Sequence, residues 1–391
     1  MPPIPLLLSA GEASGDMYAA RLATALQQRL DVAIFGMGGP QMRAAGVEII
    51  TDYSEVSVVG ITEVLKRLPS LVRAMRRLVD EAQRRKPPLA ILTDFPGFHL
   101  RLARKLLPKG IRNVYYICPQ FWAWRPWRVN LVRCRFAKAL CIFPFEEKFY
   151  ADAGVSVKFI GHPLVGNVQP TLSRESFCKK YGLQEDAHIL TVLPGSRRGE
   201  IAHHLPILVE ALAEIRRSVS TSLEIVVAVA PELDPARIQE KFSAGSRIHF
   251  VKNETYNTLS AADLAIVSSG TATVETALLG KPMIVVYRLS PLTARLAKPL
   301  VRTKFFSMVN LIAGRAVVPE LIQNDFTPQR LAAEATALLS ANDQARARVE
   351  QMQSGLLEVQ KLLGPPGAVD RAADEIVRLL QSSQGNASNA K

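Results

Sequence analysis

The sequence predicts an α/β protein built from two Rossmann-like, doubly wound domains facing across a cleft. Three observations carry that expectation. Short continuous apolar runs alternate with stretches of helical periodicity, the pattern of a parallel sheet covered on both faces. The alternation comes in two series, separated by the Gly- and Pro-rich stretch GHPLVGNVQPTL at 161–172. The length, 391 residues, fits two or three domains of roughly 100–200 residues each.

In chain order, the first series of apolar runs is 4–9, 32–36, 89–93, 113–118 and 139–143. Each is too short for a helix and lacks polar alternation, so each reads as a buried strand. Helix-length stretches at 16–29, 71–85 and 98–107 lie between them. The second series is 189–193, 223–229, 248–251, 264–267 and 283–287, with helical patterns at 201–218 and 271–279. Two series favour two sheets over one very wide sheet. The expected division is a first domain over 1–165 and a second over 166–355. Helices over 356–380 are expected to pack back on the first domain, ahead of a polar, disordered tail over 381–391.

Lys and Arg number 48 against 35 Asp and Glu, a formal net charge of +13. Such a chain favours anionic partners: nucleic acid, nucleotide phosphates or an acidic membrane surface. The excess is clustered. Residues 101–138 hold ten bases and no acid, 281–319 seven bases and no acid, and 66–86 eight bases against two acids. The four cysteines (118, 134, 141 and 178) show no metal or disulfide spacing, which fits a reducing compartment. No run approaches the roughly 18–20 apolar residues of a membrane span. The N-terminal stretch has no basic n-region ahead of its short apolar run. A cytoplasmic protein is therefore expected.

Ligands of open α/β sheets bind beyond the carboxyl ends of the strands, so the residues after each run are the candidates. After the first comes GEASGD (11–16), where Ser14 or Asp16 can cap the next helix. Glu12 is either a bland loop residue or a carboxylate facing the cleft. After 89–93 comes Asp94, followed by Pro96–Gly97. It is either a helix cap or a carboxylate able to take a proton from a hydroxyl, and the second reading is preferred. His99 reads as structural. The stretch CPQFWAWRPWR (118–128) holds all three tryptophans beside Arg125 and Arg128, a loop suited to stacking on a sugar or base or to a membrane interface, or simply packed. In the second half, Gly195, Ser196 and Arg197 in LPGSR open a helix and form an anion site by geometry. Ser269, Gly270 and Thr271 do the same, with Glu275 one turn on for a ribose diol. The chain lacks a P-loop, DxD, HExxH, GxSxG and a strong GxGxxG. Expulsion of a diphosphate would then rest on cations and helix dipoles.

On these residues the sequence resembles the lipid-A-disaccharide synthase family of GT-B glycosyltransferases. The matching stretches are LLLSAGEASGD (6–16), TDFPGF (93–98), PQFWAWR (119–125), FPFEEKFY (143–150), FIGHPL (159–164), LPGSR (193–197), SGTATVETAL (269–278) and NLIAGR (310–315). The resemblance implies an inverting transfer from UDP-2,3-diacylglucosamine to the 6-hydroxyl of 2,3-diacylglucosamine 1-phosphate (lipid X), giving a β-1,6-linked disaccharide 1-phosphate and UDP. It implies Asp94 as the catalytic aspartate, Glu12 as an important first-loop glutamate and Arg197 as a donor-side arginine. Asn310 and Glu320 fall in the donor region, and Ser14, Gln120, Trp122 and Trp124 on the acceptor side. No cofactor and no metal are implied. The chain departs from the family pattern at His99 (Asn expected), Val309 (Pro) and Phe121 (Val).

The acyl chains of such substrates need apolar surface. Leu65, Leu68, Leu71, Val72, Met75, Leu78 and Val79 recur at helical spacing beside Lys66, Arg67, Arg73, Arg76 and Arg77. This stripe either packs on its own sheet, with the bases solvated, or meets an anionic inner-membrane surface from the cytoplasmic side. A homodimer is compatible with the sequence. The alternatives are another GT-B UDP-N-acetylglucosamine transferase with a lipid acceptor and, less favoured, a UDP-N-acetylglucosamine 2-epimerase, which needs no basic amphipathic segment. A nucleic-acid-binding protein would explain the charge but not carboxylates at strand ends, and no nucleic-acid module is present.

Overall fold

The apolar runs become the central strands of two parallel sheets. The computed structural model describes residues 2–56, 61–231, 233–242, 247–297 and 303–388. It divides into two units, Met1–Pro163 with Gly364–Lys391, and Leu164–Leu363.

In the first unit, β1 (Ile4–Ala10), β2 (Val32–Gly38), β3 (Glu48–Asp52), β4 (Leu89–Thr93), β5 (Arg112–Tyr116), β6 (Lys138–Cys141) and β7 (Val157–Phe159) form one sheet in the order β3-β2-β1-β4-β5-β6-β7. Every neighbouring pair is parallel. Leu6, Leu7 and Leu8 on β1 and Leu89 to Leu92 on β4 are fully buried, so both faces of the sheet centre are covered. The covering helices include α1 (Ala13–Gln27), α2 (Pro40–Ala44), α3 (Ile61–Arg85), α4 (Pro96–Leu106), α5 (Phe121–Trp124) and α6 (Pro144–Asp152). The second unit repeats the plan. Strands β8 (His188–Leu193), β9 (Leu223–Val229), β10 (Ile248–Lys252), β11 (Leu264–Ser268), β12 (Met283–Tyr287) and β13 (Glu320–Ile322) run in the order β10-β9-β8-β11-β12-β13, again parallel. Helices α7 (Arg198–Ser218), α8 (Thr271–Leu278) and α9 (Asp343–Leu362) belong to it.

Three strands were not expected from the sequence: β3, β7 and β13. All three are sheet edges, and none has more than one buried residue. An edge strand covered on few sides needs no continuous apolar run, so it leaves no such signal.

The expected boundary at 355 falls inside α9, which stays with the second unit. The chain changes unit at Gly364-Pro-Pro-Gly367, where two prolines end helical pairing. The last helix, α10 (Ala368–Ser388), lies with the first unit. Arg29 at the end of α1 bridges Asp370 (2.8 Å) and Asp374 (2.9 Å), and Ala372, Ala373 and Ile376 are fully buried. This helix runs on through 381–388, where the composition predicted disorder. Arg112 donates to the Leu379 carbonyl, and once a helix is anchored each added residue costs little. Residues 389–391 lie outside the described residues.

Helix α3 divides its apolar stripe. Met75 and Leu78, with Ala74 and Ala82, are buried in the first unit's core, and Leu71 and Val79 pack against it. Membrane contact by Ala74, Met75, Leu78 and Ala82 is thereby excluded, because the core already covers them. Leu68 (52% exposed) and Val72 (43%) point outward and line an open depression with Pro69, Arg73 and Arg76. Arg77 pairs with Glu55 at 3.4 Å. The side chains of Leu65, Lys66 and Arg67 lie outside the described residues.

Candidate active site

Strand order reverses between β1 and β4 in the first sheet and between β8 and β11 in the second. Connections diverge at such a switch point and leave an opening beyond the strand ends. The four loops leaving these strands carry Glu12, Asp94, Gly195–Arg197 and Ser269–Thr271.

Glu12 is the N-cap residue of α1, and the Ser14 hydroxyl donates to its Oε1 at 3.1 Å. Neither Ser14 nor Asp16 caps this helix. Asp16 instead turns to the next connection, where its carboxylate accepts from the N–H groups of Gly39 (2.6 Å), Gln41 (2.9 Å) and Met42 (3.2 Å) at the start of α2. Gly11 is obligatory for a steric reason: a Cβ there would sit 2.2 Å from the ring of Phe95. That contact joins the loop after β1 to the loop after β4, whose strands pair at Ala10 and Thr93.

Asp94 and Phe95 both adopt left-handed backbone, with φ of 47° and 46°. Non-glycine residues hold that conformation at a cost, so the surroundings must impose it. Here the Asp94 carbonyl accepts from His99 Nδ1 (2.8 Å) and from the Tyr115 hydroxyl (3.0 Å), and its N–H donates to the Tyr116 carbonyl (3.1 Å). A carbonyl only accepts, so His99 carries its proton on Nδ1. Nε2 therefore accepts from the Ser9 hydroxyl at 2.8 Å. His99 is fully buried, and burial pulls its pKa down to about 4, so the ring is neutral. The main chain of Asp94 is thus fixed at the strand end, with its carboxylate half-buried. The alternative helix-cap role does not arise, because the N-cap residue of α4 is Phe95.

The tryptophan loop contains the short helix α5 and is partly packed. Trp122 Nε1 donates to Glu146 Oε1 at 3.1 Å, and its ring stands edge-on to Phe145. Glu146 was missed by sequence reasoning, although it sits in FPFEEKFY. Its carboxyl is fully buried at the start of α6 and also accepts from the N–H of Phe143 (3.3 Å). Burial pushes its pKa up to about 8 against these donors, and the nearby charge of Asp94 adds to the rise. Trp124 is half-buried, with the guanidinium of Arg125 4.9 Å and that of Arg128 5.7 Å from its ring centroid. Trp127 is 61% exposed, and Gln120 is exposed just past β5.

In the second unit, the loop after β8 opens α7 with Arg197 as N-cap residue. Glu200, three residues on, accepts from the N–H groups of Ser196 (3.2 Å) and Arg197 (3.3 Å) and pairs with the Arg197 guanidinium at 3.3 Å. Gly195 has φ of 122°, and a Cβ there would meet that carboxylate at 2.8 Å. The loop is held from behind by buried His204. Its Nδ1 donates to the Pro194 carbonyl (2.8 Å), and its Nε2 accepts from the Arg288 N–H (2.9 Å). The Ser268 hydroxyl at the end of β11 lies 3.5 Å from the same Cβ position, buried and without a hydrogen-bond partner. The starts of both loops therefore converge on one spot. Ser269 donates to the Phe306 carbonyl at 2.9 Å, Gly270 caps α8, Thr271 is exposed, and Glu275 accepts from the Tyr256 hydroxyl at 3.2 Å.

Asn310 is 1% exposed, and all four of its hydrogen-bonding positions are taken within the protein. Its Nδ2 donates to the Val318 carbonyl and to Glu320, and its Oδ1 accepts from the N–H groups of Val317 and Val318. Glu320 also accepts from the N–H groups of Phe306 and Ser307, at 2.9 Å each. The pair ties the 306–320 segment together, and its first residue, Phe306, reaches Ser269. The Asn310 side chain, placed in the donor region by the resemblance, is thus engaged within the protein. Among the described residues, no group of His, Cys, Asp and Glu is arranged to hold a metal ion.

Comparison with known proteins places this geometry. A family model described as lipid-A-disaccharide synthetase matches residues 6–362. The lipid-A-disaccharide synthase of Solibacter usitatus is 45% identical over 378 residues, covering 96% of this chain and 97% of that protein. That of Myxococcus xanthus is 42% identical over 377 residues, again covering 96% and 97%. Among solved structures, UDP-GlcNAc 2-epimerase from Neisseria meningitidis, bound to UDP-GlcNAc, superposes with a TM-score of 0.64 at 12% identity, covering 97% of this chain and all of that one (100%). The calicheamicin glycosyltransferase CalG4 does so at 0.58 and 19%, covering 97% and 99%. At such identities these two show a shared GT-B architecture, not a shared reaction. With its sequence matched from end to end by synthases and its candidate residues at the switch points of two GT-B sheets, the chain belongs to the lipid-A-disaccharide synthase family and is a glycosyltransferase of lipid A biosynthesis.

Proposed function

We propose that the chain transfers the sugar of UDP-2,3-diacylglucosamine to the 6-hydroxyl of 2,3-diacylglucosamine 1-phosphate, with Asp94 as general base. The observation that carries the assignment is the fixed left-handed backbone of Asp94 at the first switch point, with its carbonyl held by His99 and Tyr115. In the step, the acceptor oxygen bonds to the anomeric carbon as the bond from that carbon to the diphosphate oxygen breaks. The hydroxyl proton passes to Asp94, UDP leaves with the electron pair, and the α-linked donor gives a β product. Glu12, fixed by Ser14, flanks the base. The N–H groups opening α7 and α8, with Arg197, take up the charge growing on the diphosphate. Gln120, Trp122 and Trp124 serve the acceptor.

The chain works on lipid-anchored sugars at the cytoplasmic face of the inner membrane. Exposed Leu68 and Val72 beside Arg73 and Arg76 suit an anionic leaflet. Among the described residues no helix is long and apolar enough to cross a membrane. The deciding experiment incubates the protein with UDP-2,3-diacylglucosamine, with and without lipid X. UDP release only when both are present supports the reaction. Release without acceptor, or epimerised nucleotide sugar, refutes it.

A further inference from the structure

Arg101, Arg125 and Arg128 stand together without an acidic partner. Residues 101–138 contain no acid, and among the described residues none of the three arginines forms an ion pair. Arg101 lies on α4, which begins just after Asp94, and bonds to the Gly97 carbonyl at 3.1 Å. Arg125 and Arg128 flank the ring of Trp124, at 4.9 Å and 5.7 Å from its centroid, and Arg128 also lies 5.6 Å from that of Trp127. Arg128 Nε is buried and has no hydrogen-bond partner.

This arrangement is costly by itself. Burial disfavours the charged form of Arg128, Arg125 and Arg101 repel it, and no carboxylate compensates. A buried guanidinium donor without an acceptor adds its own desolvation penalty. Three guanidiniums matched by a dianion would remove both costs, because planar N–H forks suit phosphate oxygens. The flanking indole faces suit a sugar ring. The cluster also borders the base: the Tyr115 hydroxyl donates to the Asp94 carbonyl, and Tyr115 feels the charges of both Asp94 and Arg128.

We propose that Arg128, with Arg125 and Arg101, forms a binding site for a phosphate monoester and that its occupant is the 1-phosphate of the sugar acceptor. The site rests on the reading of Asp94 as the base on the acceptor side, and it makes these arginines the residues that distinguish a phosphorylated acceptor from one ending in a free hydroxyl. The donor's diphosphate has its own helix N-termini in the second unit.

The test compares acceptors with and without the 1-phosphate, in the wild type and in Arg125→Gln, Arg128→Gln and Arg128→Lys. The wild type should prefer the phosphorylated acceptor by roughly a hundredfold in kcat/KM, the scale of two charge-assisted hydrogen bonds. Arg128→Gln should lose most of that preference through acceptor KM, with UDP affinity unchanged. Arg128→Lys, which keeps the charge but lacks Nε, should fall between. Arg125→Gln changes a side chain only half-buried and keeps the test open should Arg128→Gln fail to fold. Tryptophan fluorescence supplies a direct binding readout, with glucosamine 1-phosphate and phosphatidylglycerol vesicles as probes. A preference for phosphorylated acceptor that survives in all three variants overturns the proposal. So does fluorescence that responds to the vesicles as strongly as to the sugar phosphate, which would assign the arginines to the membrane. If UDP release needs no acceptor in the wild type, it is the reaction assigned above that fails.

Discussion

Replacing His99 by Leu tests whether a neutral, buried imidazole holds Asp94 in place. The substitution removes the proton donated to the Asp94 carbonyl and the acceptor of the Ser9 hydroxyl. The carbonyl keeps its bond from Tyr115, but the Ser9 hydroxyl, 0% exposed, is left without its partner. Such an orphan costs about 1–3 kcal/mol. The cost should depend on pH. His99 titrates near 4 in the folded protein and near 6.5 when unfolded, so between those values the unfolded chain binds the extra proton. Wild-type stability must therefore fall as pH drops through that window, by about 3 kcal/mol in all. The Leu variant lacks this component, so it should be less stable at pH 7 and approach the wild type at pH 4. Urea unfolding read by tryptophan fluorescence is the assay, and Trp122, Trp124 and Trp127 all lie in the first unit, which reports itself. Buried His162, drawn down to about 3, contributes equally to both proteins and cancels in the difference. A stability gap that stays constant from pH 7 to pH 4 would refute the reasoning. In activity, His99→Asn keeps an amide donor for the carbonyl and should retain more kcat than His99→Leu.

Asp94→Asn should lower kcat by roughly 10²–10⁴-fold while calorimetry finds UDP affinity unchanged, and a variant within a few-fold of wild type would reduce Asp94 to a turn residue. Arg197→Ala should weaken UDP binding, whereas Glu200→Gln should tighten it several-fold, since the Glu200 carboxylate competes for the same N–H groups. Unchanged UDP affinity in both would remove the donor from this loop. Glu146 titrates near 8 when folded and near 4.5 when unfolded, so wild-type stability should fall as pH rises between those values, by a few kcal/mol. Glu146→Gln should flatten that slope, and thermal melts at pH 5, 6.5 and 8 would reveal it if both proteins lost stability alike. Replacing Arg73, Arg76 and Arg77 by Ser should weaken sedimentation with anionic vesicles at low salt and leave UDP binding intact, each base near the surface contributing about 1 kcal/mol. Equal vesicle binding by variant and wild type would show that the lipid substrates are captured elsewhere.

The central strands were legible because burial on both faces demands unbroken apolar runs such as 6–8 and 89–92. The edges β3, β7 and β13 were not, since edge strands carry mixed side chains. The strand-end candidates were legible for a related reason: a carboxylate or a Gly-Ser pair directly after an apolar run marks where the sheet stops. What stayed hidden depends on contacts distant in sequence. Glu146 looks like an ordinary first-turn acid until the fold buries it against Trp122. Asp16 looks like a cap for its own helix, yet serves a turn 23 residues away. Asn310 reads as a polar group awaiting a ligand, and only its four partners show it to be a brace. The departure at His99 turns out to be the position that fixes Asp94.

The return of α10 to the first unit bears on how the protein is made. Domains emerging from a ribosome generally fold in order, at roughly 5–20 residues per second. Here the unit begun by Ile4 cannot be finished until residues 368–388 have left the exit tunnel, after the whole of the second unit. In the interval α1 lacks the cover of Ala372, Ala373 and Ile376, and Arg29 lacks both of its carboxylates. Nascent chains should pass through a stage in which the second unit is complete and the first still exposes an apolar flank. A stop codon ahead of residue 368 would freeze the chain at that stage, with the first unit left without its last helix.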